Sequence, residues 1–140
     1  MSIVSTKAYV VTKVKGISGI NPDGVFDYEQ QKWSVFPAIA VTLKDGNARF
    51  LTNTQNERHY NIVIRIYQEI VRGNVGAAAA EDNLMTLADN IIASFDNDIR
   101  LGRTDVWTIP ITLNCGWIQD QPVRFIEFTL DCIDVVQAVG

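Results

Sequence analysis

From Glu57 to Ile70 the chain reads Glu-Arg-His-Tyr-Asn-Ile-Val-Ile-Arg-Ile-Tyr-Gln-Glu-Ile, an alternation that an extended strand sorts into two faces. Tyr60, Ile62, Ile64, Ile66 and Ile70 point one way and can seal a core. His59, Asn61, Val63, Arg65, Tyr67 and Glu69 point the other way, onto a face that is neither dry nor fully wet. After a break at Arg72-Gly-Asn-Val-Gly76, the run Ala77 to Phe95 changes period. Leu84, Leu87, Ala88, Ile91, Ile92 and Phe95 recur at helical spacing and form one apolar stripe. A half-sealed strand followed by a one-striped helix predicts a sheet covered by helix on one side. Glu81 and Asp82 fall near the start of that helix, where carboxylates interact favourably with its dipole. Asp96-Asn-Asp98 and Gly102 end it.

The remaining elements are shorter signals. Val25 to Tyr28 is a short strand. Pro37 cannot donate a ladder hydrogen bond, so the strand within Trp33 to Leu43 starts near Ala38. Asp45-Gly46 predicts a turn before Ala48 to Leu51, with a polar loop over Thr52 to Asn56. In Val106 to Leu113 the alternation puts Trp107, Ile109, Ile111 and Leu113 on one face, and Pro110 marks an edge or bulged strand. From Val123 to Val136, Ile126, Phe128, Leu130 and Cys132 make a dry face and Phe125, Glu127, Thr129, Asp131, Ile133 and Val135 a mixed one. Residues 5 to 15 combine helical spacing with a β-branched composition that leans towards strand. Gly16, Gly19 and Asn21-Pro-Asp-Gly24 close that segment.

Composition narrows the function. The 140 residues fit one domain, and 47% hydrophobic with 20% charged residues is ordinary for a soluble globular protein. No apolar run reaches the roughly 20 residues of a membrane span, and Met1 to Lys7 lacks the features of a secretory signal. A net charge of -4 with scattered Lys and Arg argues against binding to a phosphate backbone. Cys115 and Cys132 stand in apolar strand contexts without any metal spacing, which predicts two buried, reduced thiols.

Catalytic patterns are missing from the sequence. His59 has no Ser or Cys nucleophile in a recognisable setting and is expected to hydrogen-bond at an interface. Asp96, Asp98 and Asp105 fail the calcium-loop pattern because Arg100 and Gly102 fall where oxygen ligands belong. Gly16-Ile-Ser-Gly19 lacks the spacing and lysine of a phosphate loop. Trp33, Trp107 and Trp117 read as core or interface anchors. Trp117, in an expected loop before Pro122, is the one best suited to a contact surface. The expectation is a protein with no enzymatic activity, no cofactor and no metal.

Several short strings, in this order, resemble the tail terminator (tail completion) proteins of long-tailed bacteriophages. They are Gly16-Ile-Ser-Gly-Ile20, Val25-Phe-Asp-Tyr28, Phe36-Pro-Ala-Ile39, Asn56-Glu-Arg-His-Tyr60 with Ile62 to Tyr67, Leu87-Ala-Asp89, Leu101-Gly102 and Ile126 to Val135. They span nearly the whole chain. The usual Leu-Gly-Gly turn departs here, with Arg103-Thr-Asp105 after Gly102. The resemblance implies a helix at 5–15, against the local propensity. It gives an α+β domain over residues 1–140, a mostly antiparallel sheet of four to five strands with the central helix 77–95 and the N-terminal helix on one face.

The resemblance also implies a function. Such proteins form a hexameric ring at the head-proximal end of the tail tube, stop tube polymerisation and offer a surface to the head connector or neck. The implied partners are further copies of the chain, the tube protein and the connector, with DNA passing through the lumen without specific binding and no membrane. The implied location is the virion, after assembly in the host cytoplasm. On this reading Arg49, Glu57, Arg58, Arg65, Tyr67 and Trp117 are the candidate contact residues, because Arg offers planar multidentate donors and Tyr and Trp large rigid area. The competing readings are another neck or head-to-tail connector protein, and a small-ligand-binding α+β domain with a pocket near Trp33 and Trp117.

Overall fold

A computed structural model describes residues 3–17, 19–29, 36–50, 55–70, 76–97, 106–118 and 122–137. The elements run α1 (Ile3–Lys15), a 3-10 turn (Pro22–Gly24), β1 (Val25–Phe26), β2 (Ala38–Phe50), β3 (Gln55–Glu69), α2 (Gly76–Asn97), β4 (Val106–Trp117) and β5 (Val123–Gln137). The five strands form one sheet in the order β1-β2-β3-β5-β4. Among the described residues β1 and β2 pair in parallel and the other pairings are antiparallel. This is the α+β arrangement expected, with both helices on one face. Among the described residues no helix is long and apolar enough to cross a membrane.

The core lies between that face and the helices. Ile62, Ile64 and Ile66 of β3 and Phe128, Leu130 and Cys132 of β5 are sealed there with Ile39 and Val41 of β2. Leu84, Ala88, Ile91 and Phe95 of α2 close over them, as the stripe predicts. Val10 and Val14 of α1 complete the layer. The β-branched residues of α1 are helical because burial of these two valines outweighs the few tenths of a kcal/mol each that their propensity costs. Gly16 then caps α1, its N–H donating to the carbonyls of Thr12 and Lys13, and Gly19 adopts φ of 88°, a conformation natural to glycine.

Four local expectations are corrected. Asp45-Gly46 is not a turn: β2 continues through it, and the register slips between Leu43 and Asp45 so that Lys44 is the extra residue of a bulge. Gly46 is required there for a different reason, since a Cβ would stand 2.7 Å from the carbonyl oxygen of His59 on β3. In β4 a second slip between Pro110 and Thr112 places Trp107 opposite Ile133 but Leu113 opposite Phe128, which belong to opposite faces of β5. The four apolar residues of β4 therefore do not share a face. α2 begins at Gly76, leaving no acidic residue in its first turn, so Glu81 and Asp82 are not dipole partners. Trp117 ends β4 instead of sitting in a loop.

Candidate assembly surface

The face of the sheet turned away from the helices carries the mixed residues of β3 and β5. Its register brings Tyr67 opposite Ala38 and Phe125, Arg65 opposite Ala40 and Glu127, Val63 opposite Thr42 and Thr129, and Asn61 opposite Asp45 and Asp131. One end is covered by a small apolar cluster in which Ala38, Ala40, Tyr67 and Val123 pack with Phe26, Phe36, Ile118 and Phe125. The rest is covered by no element of the described chain. A shallow cavity of about 310 Å³ opens there, with Glu29, Val63, Arg65 and Glu127 among the residues around it.

Arg65 is the hub of the first polar group. Its Nε donates to Glu127 Oε2 at 2.7 Å and its Nη1 to the Tyr67 hydroxyl at 3.2 Å, while that hydroxyl donates to Glu29 Oε2 at 2.7 Å. Glu29 also stands 3.7 Å from Arg65, and the guanidinium lies 5.1 Å over the Phe125 ring. Burial works against the charge of Arg65, but the bonds to Tyr67 and Glu127 outweigh it and hold its pKa above the ordinary value. Burial pushes the Tyr67 hydroxyl up to about 12, with Arg65 opposing and Glu29 reinforcing the shift. The Arg65 side chain keeps 34% of its surface exposed, so its charge stays available to a partner.

The second group is centred on His59. Nδ1 meets Asp131 Oδ1 at 3.0 Å and Nε2 meets Glu57 Oε1, so both ring nitrogens face carboxylates. Burial would lower the imidazole pKa, yet the bonds to Glu57 and Asp131 raise it above 6.5. A charged imidazole suits this site because it donates to both carboxylates at once.

Of the six sequence candidates, Arg65 and Tyr67 meet in the first group and Glu57 joins the second. Arg58 points to the helix side, opposite the buried Asp134. Arg49 pairs with Glu57 in the β2–β3 ladder, and its side chain lies outside the described residues. Trp117 stands away from all of them at the end of the outermost strand, 56% exposed, with Arg124 5.5 Å over its ring and Glu81 of α2 bonded to Arg124 at 3.4 Å. Glu29, Phe125, Glu127 and Asp131 were not singled out in the sequence as contact residues. Phe125, Glu127 and Asp131 were legible as residues of the mixed face of β5, though not as partners of Arg65 and His59, whereas Glu29, three residues after β1, meets Arg65 and Tyr67 only through the tertiary fold.

The two thiols differ, against expectation. Cys132 is buried and its thiol is pushed up to about 12 by burial and the nearby Asp131, whereas Cys115 on β4 is exposed. Among the described residues no cluster of His, Cys, Asp or Glu is arranged to hold a metal ion. Trp33, Asp98, Arg100 and Leu101 to Asp105, on which the pocket, cation-site and turn readings bear, lie outside the described residues.

No protein-family model and no curated protein matches the sequence. Among solved structures, the chain is similar to one from the virion of a native gene transfer agent particle, with a TM-score of 0.61 and 14% sequence identity. The match covers 97% of this chain and 100% of that one. At that identity the likeness is one of fold, over essentially the full length of both chains.

Proposed function

We propose that the protein is a structural component of a phage-type virion that caps the head-proximal end of the tail tube as a ring, halting tube growth and offering a surface for head joining. The observation that carries this is the end-to-end fold likeness to a chain of a gene transfer agent virion. The order of sequence strings that resembles tail terminators narrows it from virion component to terminator. The sheet face described above supplies a surface for another subunit: it is polar, partly apolar and covered by no helix of its own. Its Arg65, Tyr67, Glu29 and Glu127 form a pre-organised charged patch, which lowers the ordering cost of docking. The role is assembly, without catalysis or cofactor, and DNA passes the ring without specific contact.

Removing the chain from its particle tests the reading. Tubes of uncontrolled length are expected in electron micrographs. Normal free tails beside filled, unjoined heads would overturn the terminator role in favour of a head-to-tail connector. The companion variant Arg65→Glu sets a third carboxylate beside Glu29 and Glu127. It is expected to leave the monomer folded and to lower incorporation into particles at least tenfold, read by quantitative immunoblot of purified virions.

A further inference from the structure

The helical layer is electrically divided. α1 carries Lys7, Lys13 and Lys15 and no carboxylate, while α2 carries Glu81, Asp82, Asp89 and Asp96 and no basic residue. α1 sits over β1 and β2, and α2 over β3, β5 and β4; Lys7 borders the outer side of α1, whereas Lys13 turns inward, 5.7 Å over the Phe95 ring of α2. The acidic stripe faces outward. Asn83, Leu87 and Asn90 border a cavity with Gly19 and Pro37 on the α1 side, and Glu81 reaches Arg124 on the β4 side. Asp82, Asp89 and Asp96, seven residues apart, continue around α2 beyond Glu81 and are exposed.

Each flank also exposes apolar surface. On the α1 side a groove of about 460 Å³ runs beside β2, bordered by Ile3, Val4, Lys7, Val11 and Leu43, with Val4 78% exposed. β1 pairs only with Ile39 and Ala40, so this edge of β2 is open beyond them among the described residues. On the α2 side the outermost strand β4 exposes Leu113, Cys115 and Trp117, and Met85 of α2 is exposed beside the acidic stripe. One flank is thus an apolar groove with Lys7 and Asp27 at its border; the other is an apolar ridge beside the exposed carboxylates of α2, with Arg124 over Trp117.

We propose that the β4–α2 ridge of one copy of this chain docks in the α1–β2 groove of the next, head to tail. A second copy is the occupant because one flank offers an apolar groove with Lys7, the other an exposed apolar strand beside the carboxylates of α2, and because the two lie on opposite flanks of the sheet. Two different patches that complement each other give a heterologous contact, which repeats from copy to copy and closes into a ring when the rotation permits. The contact rests on the ring reading above and specifies its joint. It leaves the outer sheet face free for the tube or the connector.

Two variants and their mixture test it. Val4→Asp places a carboxylate in the groove, where the acidic flank would meet it; Leu113→Lys places a cation on the ridge, where Lys7 and the apolar groove would meet it. Both sites are more than half exposed, and far-UV circular dichroism should match the wild type. In native mass spectrometry over a wide concentration range the wild type is expected as a closed oligomer and each variant as a monomer. Mixed in equal amounts, the variants retain one intact ridge and one intact groove between them and should give a 1:1 heterodimer and nothing larger. Asp89→Lys, on the exposed helix surface, should weaken the wild-type oligomer at least tenfold.

A variant that still forms the wild-type oligomer, or a mixture without heterodimer, overturns the joint while leaving the ring itself standing. A wild type that is monomeric throughout overturns self-association through these flanks, whereas uncontrolled tube length on loss of the chain would still support the terminator role. If the joint holds but loss of the chain leaves tube length normal, the functional reading fails alone.

Discussion

His59 sits between a carboxylate of its own strand and one of β5. Its ring is held between Glu57 and Asp131, and nothing nucleophilic stands beside it in the described surface. Its native pKa is raised above the unfolded value of 6.5. The folded protein therefore binds this proton more tightly, and the contribution to stability is full below pH 6.5 and fades as pH rises through the native value. Imidazole NMR should report a native pKa above 6.5, and Glu57→Gln with Asp131→Asn should bring it below 6.5, since burial alone lowers it. A value unchanged in that double variant would show that the carboxylates do not govern the ring. The alternation in β3 was enough to assign His59, Arg65 and Tyr67 to one face. It could not pair His59 with Asp131, because the two are 72 residues apart and only the β3–β5 register brings them together.

At the scale of elements, β4 owes its role to two local devices. The slip after Pro110 exchanges which residues face the helices, and Gly116 leaves room for the Phe125 ring on the opposite face. A Cβ at Gly116 would stand 2.8 Å from that ring. Gly116→Val is expected to displace Phe125 from beneath Arg65 and cost about 1–3 kcal/mol by urea denaturation. A stability within 0.5 kcal/mol of wild type, on the order of the scatter for neutral surface changes, would mean that the ring relocates without loss. Periods of 2 and 3.6 located β3, α2 and β5 because each is long and one-sided. Pro110 signalled the bulge in the edge strand β4, whereas the one at Lys44 was not legible. A one-residue slip leaves composition unchanged and is set by the neighbouring strand.

For the whole molecule, the flank joint has a thermodynamic consequence. An assembly that binds only folded chains raises the apparent melting temperature with protein concentration. The wild type should show that rise and Val4→Asp should not; parallel behaviour of the two would count against the groove. The amino-acid sequence by itself determined the strand faces of β3 and β5, the stripe of α2, the α+β class and the lack of a familiar catalytic pattern, because periodicity and residue chemistry are local properties. Tertiary structure alone decided that Trp117 belongs to a flank, and that Cys115 is exposed while Cys132 is sealed. It also decided that Lys7 of α1 and the carboxylates of α2 stand towards opposite flanks of one sheet, while Lys13 reaches over Phe95 of α2. Those outcomes depend on strand order and register, which place residues far apart in the chain side by side, and no local pattern records which neighbour a strand will take.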